Sequence, residues 1–153
     1  MTETSSSSPP DFWQGIHQFN HGEFYNCHDT LEAIWMVAPI PEKPFFQGIL
    51  QLAVALYHLG NHNWRGAAIL MGEGMRRLEP FEPSYHEVNI SDLLDRADLW
   101  LEMLQQLGPD RVALVADALT RTSQGELGLE ETQTLPKWEI YRVETESPVD
   151  GMP

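Results

Sequence analysis

The sequence predicts a single all-α domain, a compact bundle of about five to six helices with an irregular C-terminal arm. Three observations lead to this prediction. Apolar residues recur at helical spacing through most of residues 11–121. Asparagine, glycine and proline residues divide this stretch into segments of helical length. The sequence shows neither an internal repeat nor an alternation of strands with helices, so a parallel sheet is not expected.

The N-terminal part should contain a disordered segment and one short helix. Residues 1–10 are dominated by serine and proline and are predicted to be disordered. The first helix is expected from about Asp11 to Phe19, with Asp11 as its N-cap. Asn20 and Glu23 have the spacing of a capping box, which would separate the first helix from the second.

The middle of the chain should form three helices. The second helix is predicted to end before Pro39, because three prolines hold the following loop extended. The third, from about Pro44 to Leu59, is apolar on nearly all sides, which predicts a central position in the bundle. Asn63 is expected to cap the fourth helix, from about Trp64 to Glu79. The short turn between them predicts that the third and fourth helices are antiparallel neighbours.

The fifth helix should follow a loop rich in proline and aromatic residues, Pro80 to Tyr85. Either Asn89 or Ser91 can serve as its N-cap. Gly108, followed by proline, is expected to end it.

A shorter sixth helix is expected from about Asp110 to Leu119, and the remaining residues, 122–153, lack clear periodicity. We therefore predict an irregular arm there. Within it, residues 138–143 are expected to form a short strand or an extended segment that lies on the bundle.

The composition argues against several classes of partner. The chain has 23 acidic and 9 basic residues, for a net charge of −14. Such a surface repels phosphate groups, so we expect no nucleic-acid partner and no membrane partner. The longest apolar segment is too short to span a bilayer. A single cysteine, Cys27, and the lack of a signal-peptide pattern favour a cytoplasmic location.

The candidate site consists of two polar stripes on the otherwise apolar second and third helices. His28 and Glu32 are four residues apart and share a helix face. Burying such groups without partners costs roughly 1–3 kcal/mol each, so we expect the stripes to meet each other or a ligand. The candidate set contains three residues from each helix: His28, Glu32, Trp35, Gln47, Gln51 and His58.

Three interpretations of this set stay open. The first is a structural network that lines a small cavity, in which Glu32 accepts a hydrogen bond from an imidazole and Gln51 or Gln47 satisfies the remaining groups. The second is a pocket in which the same groups bind a small molecule or act as acid and base. The third is a divalent metal bound by His28, Glu32 and His58.

Other residues offer further hypotheses. Arg65, at the start of the fourth helix, could form an anion-binding rim or could simply be a solvated arginine. Small residues on the fourth helix, among them Gly66, Gly72 and Gly74, could form the contact of a homodimer. Cys27 is predicted to be a buried structural thiol. Three other histidines are expected at the surface or in caps: His17, His21 and His86.

Two blocks of sequence resemble a known family. Residues 19–35 read FNHGEFYNCHDTLEAIW, and residues 46–70 read FQGILQLAVALYHLGNHNWRGAAIL. In this order they resemble the signature of a bacterial and archaeal all-helical family, the domain of unknown function numbered three hundred and nine. The resemblance runs from about Phe12 to Leu78. It departs from the family pattern at Asp29, where the family usually has glutamate.

The resemblance implies a compact helical fold without an established activity, substrate or cofactor. It also implies that five residues belong to a characteristic set: His28, Glu32, Trp35, Gln51 and His58. We therefore expect a small cytoplasmic helical binding or scaffold protein whose polar cluster lies between the second and third helices. The alternative is an enzyme that uses this cluster with a divalent metal, or as acid and base, on a small molecule.

Overall fold

Six helices form the protein in the computed structural model, which describes residues 8–125 and 135–143. The all-α prediction is confirmed. Single 3₁₀ turns at Ile40–Glu42, Glu79–Phe81 and Pro109–Arg111 join some of the helices. Residues 1–7, predicted to be disordered, and most of the predicted arm lie outside the described residues. The helices are α1 (Phe12–Asn20), α2 (Phe24–Val37), α3 (Lys43–Gly60), α4 (Trp64–Leu78), α5 (Ile90–Leu107) and α6 (Val112–Ser123).

Helix α3 lies at the centre, as its apolar composition predicts. Nine of its 18 residues are buried, including Phe45, Phe46 and Leu56. It packs against α2 on one side and α4 on the other, and α6 also contacts it. The partly exposed residues of α3 therefore lie between α2 and α4.

Helices α3 and α4 approach each other closely through two glycines. A Cβ atom on Gly74 would lie 2.9 Å from the carbonyl oxygen of Gly48, a distance that side-chain carbons do not reach. Asn63 caps α4 as predicted, because its side-chain oxygen accepts a hydrogen bond from the Gly66 backbone N–H at 3.0 Å. The Asn63 cap therefore stabilises the start of α4, and the glycine contact stabilises the middle of the antiparallel pair that the short turn predicts.

Asp11 takes the N-cap position of α1 as predicted, but the capping box predicted from Asn20 and Glu23 was wrong, because Glu23 is itself the N-cap residue of α2. Asp11 and Glu23 occupy N-cap positions, but neither side chain makes a capping hydrogen bond within the described residues. Asn20 instead is the last residue of α1, and its amide pairs with the backbone of Ile140. A distant segment therefore uses the side chain that local spacing assigned to a cap.

A small hairpin, absent from the prediction, occupies part of the proline-rich and aromatic loop. Strand β1 (Ser84–Tyr85) pairs antiparallel with β2 (Val88–Asn89). The turn between them has positive φ angles of 48° and 65° at His86 and Glu87. Two such residues are typical of a type I′ turn, whose twist suits a hairpin. Asn89 then caps α5, accepting from the Asp92 N–H at 3.0 Å.

The C-terminal segment, residues 135–143, is extended and forms part of the core. Leu135, Trp138 and Ile140 are buried in it. The indole N–H of Trp100 donates to the Pro136 carbonyl at 2.8 Å. An isolated bridge joins the segment to β2. This agrees with the expectation of an extended segment that lies on the bundle.

Within the described residues, no helix combines the length and the apolar character that crossing a lipid bilayer requires.

Candidate functional site

The polar stripe of α2 lies at the surface and not in the core. Buried residues of α2 are Cys27, Leu31 and Ile34. His28 and Glu32 each follow one of them by one position and are therefore turned by about 100° toward solvent. Their side chains are 28% and 47% exposed. The burial penalty on which the sequence argument depended is therefore small for these two groups.

Three polar side chains of α2 converge at this surface. One ring nitrogen of His28, Nδ1, lies 3.2 Å from Oδ1 of Asp29. The other, Nε2, lies 3.7 Å from Oε1 of Glu32 one helical turn later. The three residues can each offer one ligand atom such that all three atoms lie within 4.8 Å of one another. We call His28, Asp29 and Glu32 the α2 triad.

The polar residues of α3 point elsewhere, so the expected joint network with α2 is not formed. Gln51 interacts with α4: its amide donates to Glu73 at 3.2 Å, and its oxygen accepts from Arg77 at 3.0 Å. His58 lies 3.3 Å, through Nδ1, from the side-chain nitrogen of Asn63. Among the described residues, no hydrogen bond joins Gln51 or His58 to the α2 triad.

Gln47 is half-buried and makes no side-chain hydrogen bond within the described residues. The predicted set is thus divided among different neighbours. The physical reason is that Gln51 and His58 find polar partners on α4 and in the turn that precedes it.

Aromatic rings connect the two stripes where hydrogen bonds do not. Tyr25, on α2, lies 5.9 Å from the His28 ring and 5.5 Å from the ring of Tyr57 on α3. Tyr57 in turn lies 6.1 Å from His58. The imidazoles of the two stripes are therefore the ends of a chain of four rings.

Trp35 packs at the C-terminal end of α2 together with Lys43. The ammonium of Lys43 donates to the carbonyl of Trp35 at 2.6 Å and to that of Met36 at 3.1 Å. It also lies 4.9 Å from the centre of the Trp35 ring. A cation on the last carbonyls of a helix interacts favourably with the helix dipole. These contacts give Trp35 a role in ending α2.

Two of the three glycines of α4 considered for a homodimer, Gly66 and Gly74, lie close to residues of the same chain. Gly66 lies against His58 and Asn63, and Gly74 lies against Gly48. Gly72 faces Leu101 of α5 at a distance of 4.0 Å. The homodimer expected from these glycines stays a prediction.

Arg65 is exposed on α4, and its side chain makes no hydrogen bond or ion pair within the described part of the chain. Its proposed contribution to an anion-binding rim stays a prediction.

His86 was expected at the surface, and this prediction was wrong. Its side chain is only 3% exposed, and Nε2 lies 3.2 Å from Oε1 of Glu42. The ring stacks on Phe46 at 5.6 Å between centroids and has other aromatic neighbours. The positive φ angle of His86 turns its side chain inward, and local sequence gives no signal for this conformation. His86 therefore attaches the hairpin to α3.

Cys27 is fully buried in α2, as predicted, and burial raises the pKa of its thiol to about 12. Since only the thiolate is nucleophilic, we expect a thiol reagent at pH 8 to leave Cys27 unmodified in the native protein. Labelling should become complete within minutes in denaturant. Mass spectrometry of both samples is the measurement, and rapid labelling of the native protein would contradict the buried position.

The comparisons with known proteins agree with the sequence resemblance. A family described as a domain of unknown function, DUF309, matches residues 12–70. The uncharacterized protein YpuF of Bacillus subtilis (strain 168) is 34% identical to this chain over 86 residues. That alignment covers 56% of this chain and 47% of YpuF, so the chain spans about half the length of that relative. No solved structure matches. The α2 triad lies inside the family match.

Proposed function

We propose that the protein is a small helical binding protein that takes up a divalent transition-metal ion at the α2 triad. The observation that carries the proposal is the convergence of one imidazole and two carboxylates within 4.8 Å of one another. A nitrogen ligand with two oxygen ligands suits ions such as Zn²⁺, Mn²⁺ and Co²⁺. The triad contains Asp29 in the place that the sequence hypothesis gave to His58.

The two contacts of the imidazole support a specific arrangement. Nε2 of His28 and the Glu32 carboxylate face each other across 3.7 Å and can both turn toward one ion. Asp29, at 3.2 Å from Nδ1, can orient the ring or add a third ligand. Carboxylates that hold the second nitrogen of a ligating histidine are common in metal sites.

Electrostatics and exposure also favour cation binding. Two carboxylates belong to the triad, and the whole chain carries a net charge of −14, which raises the local concentration of cations. All three side chains reach solvent, so an ion need not cross the core. At most three protein ligands leave coordination positions open, as in sites that bind a further small polar molecule. A cytoplasmic location, as the sequence suggests, forms part of the same proposal.

The test is a titration of metal-free protein with Zn²⁺ and Co²⁺. Calorimetry measures the binding of both ions, and the visible spectrum of cobalt reports its coordination. We expect one ion to bind, with an affinity that His28→Ala and Glu32→Gln each lower by more than about 100-fold. Asp29→Asn should lower it by about 10–100-fold if Asp29 only orients the ring.

Controls separate the triad from other surface groups. His17 and His21 form a second pair of imidazoles, with ring centroids 4.0 Å apart, and are both replaced by alanine in the background protein. Asp117→Asn, on the exposed face of α6, is the matched control for loss of a carboxylate. Zinc affinity that is the same in the triad variants and in Asp117→Asn would refute the proposal.

A further inference from the structure

A groove separate from the α2 triad opens between the start of α2, the end of α3 and α6. Its volume is about 440 Å³, within the range of small-molecule sites. Leu56 and Leu119 contribute to its apolar part. Tyr25 and Tyr57 line it as well, so that this groove adjoins the chain of rings described above.

Two tyrosine rings present their surfaces to the groove. Tyr25 is 56% exposed and Tyr57 is 42% exposed, and their rings tilt at 45° to each other with centroids 5.5 Å apart. Exposed aromatic faces attract cations through their electron-rich π systems, most strongly when the cation is weakly hydrated. Because the two rings are in contact with each other, such a cation would lie on the groove side of the pair, against both exposed rings.

The charge of the groove favours the same ligand. Among the described residues that line it, Glu23 carries the only charge, and neither lysine nor arginine is present. Glu23 occupies the N-cap position of α2, yet its carboxylate makes no capping hydrogen bond, and no ion pair within the described residues involves it. The carboxylate is therefore available to a bound cation.

We propose that this groove binds a small organic ammonium ion, held against the exposed faces of Tyr25 and Tyr57 and neutralised by Glu23. A weakly hydrated ammonium with apolar substituents matches the aromatic walls of the groove. The proposal goes beyond metal binding and does not depend on it, because Glu23 and Tyr57 are outside the α2 triad.

The test compares choline with its uncharged carbon analogue, 3,3-dimethylbutan-1-ol, which has the same shape. Binding is followed by calorimetry and by the NMR shifts of the tyrosine side chains in the full chain. We expect choline to bind at least about tenfold more tightly than the alcohol, because only choline gains the cation–π and ionic contacts. Equal affinity for the two probes, or failure to saturate with choline at millimolar concentration, would overturn the proposal.

Substitutions locate the site. Tyr57→Ala and Glu23→Gln should each weaken choline binding by about tenfold, and Tyr57→Phe should preserve it, since the phenyl ring retains its π face. Tyr141→Ala is the matched control, since Tyr141 is also exposed, at 44%, but does not line the groove. Far-ultraviolet circular dichroism checks that each variant is folded. Choline affinity that Tyr57→Ala and Glu23→Gln leave unchanged would place binding elsewhere and refute the proposal.

Discussion

Replacing Asn20 by alanine is expected to lower the free energy of unfolding by about 2–4 kcal/mol. The amide of Asn20 donates to the carbonyl of Ile140 at 3.1 Å and accepts from its N–H at 2.7 Å. Alanine leaves both backbone groups without their partner, and each unsatisfied buried group costs about 1–3 kcal/mol. The decrease in the free energy of unfolding is measured by urea denaturation, with tryptophan fluorescence as the signal.

Two further variants show whether the loss comes from this contact. Asn20→Asp keeps an acceptor for the Ile140 N–H and removes the donor, so we expect a smaller loss than for alanine. Asn61→Ala changes an exposed asparagine in another turn and should alter stability by less than about 0.5 kcal/mol. Hydrogen exchange at the Ile140 amide should accelerate in Asn20→Ala. Unchanged exchange there would show that the segment is held in place by other contacts.

Two glycines on α4, only two positions apart, should respond to alanine with opposite signs. Gly74→Ala would bring a Cβ atom to 2.9 Å from the Gly48 carbonyl oxygen, which is backbone and can move only with α3 itself. We expect a loss of about 1–3 kcal/mol, as in other overpacked interiors. At Gly72 the nearest heavy atom is 4.0 Å away, on Leu101. Gly72→Ala should therefore stabilise the protein by up to about 1 kcal/mol through helix propensity.

Because both variants make the same chemical change in the same helix, their difference isolates the approach of α3 to α4. Thermal unfolding in a single buffer is sufficient to compare them. If both variants lowered the melting temperature equally, the contact between Gly74 and the Gly48 carbonyl would not determine which substitutions α4 tolerates. The packing of α3 against α4 would then have to differ from the structure described.

Most of the helices could be predicted because their signals are local. The apolar periodicity of α3 and the side chains of Asn63 and Asn89 act within one or two turns, and the structure confirms them. Asn20 was misassigned because its hydrogen-bond partner is Ile140, 120 residues away. The position of His86 depends on a positive φ angle, which local sequence did not reveal.

The candidate site was predicted in part. Helical spacing places His28 and Glu32 on one face, and their ring nitrogen and carboxylate are indeed close. Spacing within one helix carries no information on which neighbour a polar side chain will meet. Gln51 accordingly has partners on α4, and His58 lies beside the turn that follows its own helix. Asp29 is adjacent to His28 in sequence, and only the geometry of the side chains shows that it reaches the ring.

The C-terminal segment also bears on the order in which the protein can fold. Trp138 packs against Phe19 of α1 and Trp100 of α5, with ring centroids 6.1 Å and 5.9 Å apart. Helices α1 to α4 make contacts mainly with their neighbours in sequence, which form quickly, whereas contacts across more than a hundred residues close a long loop and form slowly. During synthesis on a ribosome, the apolar surface around Phe19 must therefore stay uncovered until residue 138 has emerged. We expect this interval to be the time at which the nascent chain is most exposed to aggregation and to chaperones.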